Sequence, residues 1–169
     1  EPGKNYLYVD VGGGSTEINL ISEGELKSSR SYNIGTVRML SGMVKNEEKE
    51  QMHTDLEVLA KEYAPIHIIG SGGNINKLFR LADKKDKKQL FLPLASLQDI
   101  YRTLKDLPKE QRIKLFKLKP DRADVIVPAA EIFMEVATRV QANGIIVPTI
   151  GLSDGIIDSL YTKNRQWMQ

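Results

Sequence analysis

Two acidic residues, Asp10 and Glu17, flank a glycine-rich stretch in a segment that otherwise has the aromatic and β-branched pattern of two strands. If the loop between these strands comprises residues 12–15, Asp10 lies opposite Glu17 in an antiparallel hairpin, with Cβ atoms about 5 Å apart. Two carboxylates at that separation repel each other unless a cation lies between them. Mg²⁺ prefers one or two carboxylates together with the phosphate oxygens of a substrate, so the spacing favours a site for a metal-bound phosphate.

The spacing leaves two alternatives to this site open. A loop of three residues would shift the register by one and place Asp10 opposite Thr16 instead of Glu17. The segment could also be an ordinary hairpin, in which Asp10 caps the turn and Glu17 is solvated. The pairing of the two carboxylates therefore depends on the length of the loop.

Glycines form two tight turns that each follow a predicted strand. We define the first glycine loop as residues 12–15 and the second glycine turn as residues 70–73. Three glycines in the first loop allow positive φ angles and a close approach of the backbone to a ligand. The second turn precedes a helix with Asn74 as the expected N-cap, and a helix N-terminus presents free N–H groups to an anion. It matches neither a Walker loop nor GxGxxG, and glycine also suits a tight turn for steric reasons, so this turn alone is a weak signal.

Hydrophobic spacing predicts a single α/β domain over residues 1–169 that positions these turns. Strands are predicted at residues 6–11, 16–21, 25–34, 65–69 and 144–148. Helical segments are predicted at residues 36–44, 74–81, 96–107, 109–118, 125–141 and 153–161. An apolar stripe at residues 56–63 predicts one more helical segment, whose polar side carries His53. An antiparallel meander followed by helical crossovers produces a mixed five-stranded sheet flanked by helices. The glycine turns after Val11, Ile69 and Val147 should then lie at one edge of the sheet, where α/β folds bind ligands.

Several positions within these elements carry predictions of their own. Ser96 is the expected N-cap of the helix at 96–107, and Pro128 should kink the following apolar helix or mark its first turn. His53 is expected on an exposed helix face and His67 in the core. The apolar stripe of the first helical segment consists of Val37, Leu40, Met43 and Val44.

Two basic features are candidates for binding anions. Arg122 is predicted to lie on a turn, and its rigid guanidinium suits phosphate oxygens, with an ion pair to Asp121 or Asp124 as the alternative. The cluster at residues 84–88 contains four lysines. A solvated loop is the default interpretation of such a cluster, and a landing surface for a polyanion is the alternative.

Composition narrows the class of protein. The chain has 169 residues, of which 41% are hydrophobic and 27% charged, enough for one compact domain with a sizeable core. It contains no cysteine, which excludes disulfides and fits a reducing cytoplasm. A net charge of +2 is too small to indicate nucleic acid as a specific partner. No secretory signal or membrane-spanning run is expected, and the start at Glu1 instead of Met indicates a piece of a longer polypeptide.

Four motifs together resemble one known family. They are DVGGGSTE at residues 10–17, GSGGN at 70–74, RADVIVPAAEI at 122–132 and GLSDGIIDSLY at 151–161. In this order they are similar to the exopolyphosphatase and guanosine pentaphosphate phosphatase (Ppx/GppA) family. The resemblance implies an RNase H-like (actin-like ATPase) fold and a cytoplasmic hydrolase. It also implies Mg²⁺-dependent hydrolysis of the terminal phosphate of polyphosphate or of the 5′ phosphate of guanosine pentaphosphate.

The resemblance also implies roles for individual residues. Asp10 and Glu17 would be catalytic, holding or orienting the metal ion and its water. Residues 12–16 would cradle phosphate through backbone N–H groups and the Ser15 hydroxyl, the second glycine turn would face them, and Arg122 would contact phosphate. The implied phosphate-binding residues are Gly12, Gly13, Gly14, Ser15, Thr16, Gly70, Ser71, Gly72, Gly73 and Arg122.

Members of this family have two lobes with the cleft between them, and the chain resembles only the second, C-terminal lobe. The glutamate thought to act as general base belongs to the first lobe, so the resemblance implies that this chain binds metal and phosphate but turns over little by itself. The missing N-terminal lobe is therefore an expected partner, and the full-length protein is a possible homodimer.

Two other functions are compatible with the motifs. One is the nucleotide-binding half of an actin-like kinase, which would transfer phosphate from ATP to a sugar instead of releasing it from polyphosphate. The other is a non-catalytic phosphate-sensing module. In that case Asp10→Asn or Glu17→Gln would leave the activity of the full-length protein unchanged.

Overall fold

The computed structural model describes residues 3–148, and its first three strands form an antiparallel meander. Strand β1 (Asn5–Val11) pairs with β2 (Thr16–Ser22), which pairs with β3 (Glu25–Tyr32). The loop between β1 and β2 has four residues, and the register places Val11 opposite Thr16. This confirms the longer of the two loop lengths considered and excludes the shifted register.

Parallel pairing joins the rest of the sheet to β1. Strand β4 (Ile66–Ser71) pairs in parallel with β1 and β6 (Gly144–Ile146) in parallel with β4, while β5 (Phe91–Pro93) is antiparallel to β6. The resulting mixed sheet has six strands in the order β3-β2-β1-β4-β6-β5. The prediction of five strands missed β5, because three residues ending in proline have no readable periodicity and only pairing with β6 defines them as a strand.

Six helices cover the described part of the sheet, and the last of them is central to the core. Helix α6 contacts each of the other five helices and β1. Its buried face includes Ile126, Ile132 and Phe133, which pack in one hydrophobic cluster with Leu7 and Val9 of β1. The helices are α1 (Thr36–Leu40), α2 (Asn46–Tyr63), α3 (Gly73–Leu81), α4 (Leu94–Lys105), α5 (Lys109–Phe116) and α6 (Pro120–Arg139).

The first helical segment is shorter than predicted. Helix α1 ends at Leu40, because Gly42 takes a φ of +68° and turns the chain back toward Arg38. The expected stripe is not a buried face: Val37 and Leu40 are each 54% exposed and Met43 is 62% exposed. Of the four residues of the stripe, only Val44 packs against the core.

Four helix starts also differ from the predictions, and the largest difference is that of α2, which begins at Asn46, well before the predicted stripe at residues 56–63. The N-caps of α3 and α4 are Gly72 and Pro93, so neither Asn74 nor Ser96 caps a helix, and Ser96 is instead buried. Helix α6 begins at Pro120, earlier than predicted, because a proline at the first helical position has a suitable φ and needs no N–H partner. This extension places Arg122 in the first turn of a helix instead of on a loop, and it places Pro128 inside the helix.

Several predictions fall beyond the described residues. The helix at 153–161 and the glycine turn that follows Val147 lie outside residues 3–148. The carboxyl end of β6 nevertheless lies at the same edge as those of β1 and β4, because the three strands are parallel. No helix within residues 3–148 is long and apolar enough to cross a membrane.

Candidate phosphate and metal site

The acidic pair lies at the carboxyl edge of β1. Asp10 is directly opposite Glu17 in the register, as the four-residue loop requires, and Ser71 of β4 is its neighbour on the other side. Alternation along β1 buries Val9 and Val11 and leaves Asp10 on the exposed face, where Glu17 is exposed too. Within residues 3–148 neither carboxylate has a hydrogen-bond or ion-pair partner. Two uncompensated like charges therefore face each other, which favours a bound cation.

The carbonyl groups of the first glycine loop all accept hydrogen bonds. Three of them face one stretch of chain, residues 34–38, which we call the backing segment because it lies behind the loop. The fourth is used within the loop. The bonds run from Thr36 N to Gly12 O (3.0 Å), from Val37 N and Arg38 N to Gly13 O (3.0 and 3.2 Å), from Arg38 Nε to Gly14 O (2.6 Å) and from Gly12 N to Ser15 O (2.8 Å).

These bonds determine where the N–H groups of the loop point. In a trans peptide unit the N–H is antiparallel to the C=O of the preceding residue. Because the carbonyls of residues 12–14 point at the backing segment, the N–H groups of Gly13, Gly14 and Ser15 point away from it. None of these three donors has an acceptor within residues 3–148. The loop therefore presents three consecutive unpaired N–H groups, an arrangement suited to an anion.

Sequence reasoning missed the backing segment, although Gly35 was a usable signal. A Cβ at Gly35 would come within 3 Å of the backbone of Gly13 and Gly14, so the loop can pack against the segment only if residue 35 is glycine. Thr16 adds a further anchor, since its buried hydroxyl donates to the Ile34 carbonyl oxygen (2.6 Å). The Thr16 side chain thus helps to hold the loop against the backing segment.

The second glycine turn contains glycines of three kinds. Gly70 is buried in β4, and a Cβ there would lie 2.9 Å from both Phe133 and Ile145, so it is a packing residue that is not at the site surface. Gly72 takes a φ of +114°, and a Cβ on it would lie 3.9 Å from Asp10 Oδ1, which places this turn beside the acidic pair. Gly73 begins α3, whose N-terminus has no side-chain cap.

Arg122, in the first turn of α6, packs against the second glycine turn. Its guanidinium occupies the space that a Cβ at Gly73 would need, and its Nη1 donates to Asn74 Oδ1 (2.6 Å). The alternative for Arg122, an ion pair with Asp121 or Asp124, is not observed within residues 3–148, and Asp124 pairs with Lys109 instead (2.8 Å). Arg122 is half-buried with a neutral acceptor and no carboxylate partner within residues 3–148, so its positive charge remains available at the helix N-terminus.

The fold thus brings together most of the residues selected from the sequence. The carboxyl edge of β1 and β4 carries Asp10, Glu17, the first glycine loop, residues 71–73 and Arg122. Within residues 3–148 there is no group of three or more His, Asp and Glu residues that could hold a metal ion. The pair of carboxylates is therefore suited to an ion that takes its remaining ligands from phosphate and water, as Mg²⁺ does.

His53, His67 and the basic cluster, which the sequence analysis also considered, have contacts of their own. His53 is not on a free face, because its Nε2 lies 3.0 Å from Glu135 Oε1 and its side chain is 26% exposed. His67 is half-buried beside Tyr6, with ring centroids 5.8 Å apart. In the basic cluster, Lys85 donates to a backbone carbonyl and lies over the ring of Phe79, and burial lowers the pKa of Lys85.

Comparison with known proteins places this geometry in a family. The model of the Ppx/GppA phosphatase family matches residues 2–164. Exopolyphosphatase 2 from two strains of Mycobacterium tuberculosis, CDC 1551 / Oshkosh and H37Rv, is 28% identical over 181 residues, a match covering 94% of this chain and 56% of that protein.

Solved structures agree with this assignment. The type II variant of the Aquifex aeolicus Ppx/GppA phosphatase is 27% identical, with a TM-score of 0.68 over 94% of this chain and 57% of that chain. An exopolyphosphatase from Cytophaga hutchinsonii is 22% identical, with a TM-score of 0.71 over 95% of this chain and 58% of that chain, and this likeness shows the fold alone. The RNase H-like (actin-like ATPase) fold expected from the motifs is confirmed.

The match covers only part of the length of each relative. The chain spans about 56% of the length of the curated relatives and 57–58% of these solved chains. The family model, in contrast, extends over nearly the whole chain. The protein therefore belongs to the Ppx/GppA phosphatase family.

Proposed function

We propose that the chain is the metal- and phosphate-binding lobe of a phosphohydrolase that acts on the terminal phosphate of inorganic polyphosphate or the 5′ phosphate of guanosine pentaphosphate. The observation that carries this proposal is the polarity of the first glycine loop. All four of its carbonyls are engaged, while three consecutive N–H groups next to the carboxylates of Asp10 and Glu17 have no acceptor within residues 3–148. The name exopolyphosphatase, which the Mycobacterium tuberculosis relatives carry, supports a polyphosphate substrate.

In this proposal the two glycine segments hold phosphate from two sides. The N–H groups of Gly13, Gly14 and Ser15 donate to phosphate oxygens, and the Ser15 hydroxyl adds a further donor. The uncapped N-terminus of α3 offers backbone N–H groups and the positive end of the helix dipole. Arg122, fixed by Asn74 but not neutralised, supplies the counter-charge.

Asp10 and Glu17 are the residues that would hold Mg²⁺. Both are exposed, face each other and have no other cation within residues 3–148, and carboxylate oxygens are the ligands that this ion prefers. When bound, the ion would neutralise phosphate charge and stabilise the charge that develops on the oxygens. Gly72 lies beside Asp10, since a Cβ at this position would be 3.9 Å from Asp10 Oδ1.

The chain alone should bind its ligand but release little phosphate. The acidic pair lies on an open edge, so water is not excluded from the site. A general base supplied by another lobe is worth roughly 10²–10⁴-fold in rate. Adding that lobe in trans should therefore raise phosphate release, and no gain on addition would contradict this division of labour.

A phosphate-release assay on the full-length protein tests the proposal. Colorimetric detection with malachite green should show release from polyphosphate or guanosine pentaphosphate that depends on Mg²⁺. Matched reactions with ATP and a sugar acceptor should show no transfer, which a kinase would catalyse. The absence of Mg²⁺-dependent release from either substrate would overturn the proposal, and unchanged release by Asp10→Asn would point to a sensing module. Homodimerisation, a cytoplasmic location and the lack of specific nucleic-acid binding stay predictions.

A further inference from the structure

We propose that Arg38 is a positioning residue of the phosphate site, a role that rests on the proposed function of the first glycine loop. Arg38 holds the carbonyl oxygen of Gly14 with its side chain, and it thereby orients the N–H of Ser15. No motif used above includes this residue, and it acts on the ligand only through the loop.

The orientation of one peptide unit, that between Gly14 and Ser15, depends on the Arg38 side chain. Arg38 Nε donates to Gly14 O at 2.6 Å, and this is the only hydrogen bond that the Gly14 carbonyl receives within residues 3–148. The carbonyls of Gly12 and Gly13 are held differently, by backbone N–H groups that any side chain at position 38 would leave in place. The peptide between Gly14 and Ser15 is thus the part of the loop that depends on a side chain.

Loss of this bond would free the peptide to rotate. Glycine has no Cβ to restrict its ψ angle, and a Cβ on Gly14 would have no neighbour nearer than 3.9 Å, so the surrounding structure does not constrain this plane. Rotation of the plane would turn the Gly14 carbonyl toward the ligand and the Ser15 N–H away from it. An oxygen would then face phosphate where a donor is needed.

Charge is a second property of Arg38 that the test must separate from its hydrogen bond. The guanidinium is half-exposed, bonded to a neutral carbonyl and unpaired with any carboxylate within residues 3–148. It therefore attracts anions as well as orienting the loop. Three substitutions distinguish the two effects: Arg38→Lys keeps donor and charge, Arg38→Gln keeps a donor without the charge, and Arg38→Met removes both.

The experiment uses the full-length protein and two readouts. Tripolyphosphate with Mg²⁺ is titrated by calorimetry, and Arg38→Met should weaken its binding by roughly tenfold, as expected for a lost hydrogen bond to a charged group. Arg38→Lys and Arg38→Gln should each recover most of the affinity. The backbone amide order parameter of Ser15, measured by NMR relaxation without ligand, should be lower in Arg38→Met than in the wild type. Arg30→Met, at an exposed position on β3, is the control and should change neither readout.

Any outcome other than the expected one would overturn the proposal. If Arg38→Gln binds as poorly as Arg38→Met while Arg38→Lys binds normally, the residue acts through charge alone. Wild-type binding by all three variants, or equal loss in all three, excludes a positioning hydrogen bond. If the wild-type protein itself does not bind tripolyphosphate, the proposed function fails. The order parameter of Ser15 then still decides whether Arg38 orders the loop.

Discussion

The first glycine loop and the second glycine turn have similar compositions but present their N–H groups for different physical reasons. In the first loop none of Gly12, Gly13 and Gly14 adopts a left-handed φ, so the reason for glycine expected from the sequence does not apply there. Its donors are exposed because the backing segment holds the carbonyls on the other side. In the second turn Gly72 does take a positive φ, and the donors are those of a helix N-terminus.

Each of the two glycine segments also receives a hydrogen bond from a different arginine, and in each case the acceptor is an uncharged oxygen. Arg38 donates to the Gly14 carbonyl, and Arg122 donates to the Asn74 amide oxygen. Neither arginine has a carboxylate partner within residues 3–148, so neither positive charge is neutralised by an ion pair there. The comparison teaches that a glycine-rich motif becomes an anion site through what surrounds it, and that the support differs even between neighbouring motifs.

The largest expected effect is that of the acidic pair, which serves both segments. Asp10→Asn and Glu17→Gln should each lower Mg²⁺-dependent phosphate release by the full-length protein by roughly 100-fold, because each removes a charge that would hold the ion. Glu25→Gln, a change of an exposed acid on β3, should leave release within experimental error. Equal activity of Glu17→Gln and the wild type would show that the facing carboxylates do not share a metal ion.

The first glycine loop, unlike the second glycine turn, depends on close packing against the backing segment, and the free energy of unfolding should report that packing. Gly35→Ala should lower the free energy of unfolding by about 2 kcal/mol, because the new Cβ would overlap the backbone of Gly13 and Gly14. Gly14→Ala is the matched control and should change stability little, since its nearest neighbour would be Arg38 Nε at 3.9 Å. Chemical denaturation of both variants measures the difference, and equal losses would contradict the close packing of the loop on Gly35.

In the second glycine turn, Gly73 should affect phosphate binding through the position of Arg122. Gly73→Ala would displace the Arg122 guanidinium, so Gly73→Ala and Arg122→Met should each weaken tripolyphosphate binding by roughly tenfold. The double variant should bind no worse than either single one, because both remove the same interaction. Arg80→Met, at an exposed arginine late in α3, should bind normally. Additive losses in the double variant would show that Gly73 and Arg122 act separately.

The smallest effect concerns the strand that leads into the backing segment. The buried Tyr32 hydroxyl donates to Asp55 Oδ2 (2.7 Å), and burial together with this bond raises the pKa of Tyr32. The folded state therefore keeps the phenol proton when the unfolded state loses it, so stability is full below about pH 10 and declines above it. Tyr32→Phe should cost about 1 kcal/mol at neutral pH and reduce this alkaline decline.

Urea denaturation at pH 7 and above pH 10 measures the effect of Tyr32→Phe. Gln51→Ala removes the other hydrogen bond to Asp55, that from Gln51 Nε2 to Oδ1 (2.9 Å), and leaves the Tyr32 hydroxyl bond in place. This variant should keep the alkaline decline of the wild type. An equally steep decline in Tyr32→Phe would show that the bond does not support the segment behind the first loop.

The amino-acid sequence by itself determined the parts of this protein that depend on neighbours along the chain. Alternating apolar residues placed β1 and β2 and limited the partner of Asp10 to Glu17 or Thr16, and the observed register then selected Glu17. Crossover order then placed the second glycine turn at the same edge of the sheet. The motif resemblance identified the family because its residues follow one another in order.

Only the tertiary structure decided which groups support the site. Residue 35 must be glycine, and Arg38 and Arg122 are bound to Gly14 and Asn74, because segments 24 and 48 residues apart meet in space. No local pattern encodes such meetings, for the same reason that the three residues of β5 could not be recognised without β6. Local periodicity records which face of an element is apolar, whereas hydrogen bonds between distant segments depend on how those faces have packed.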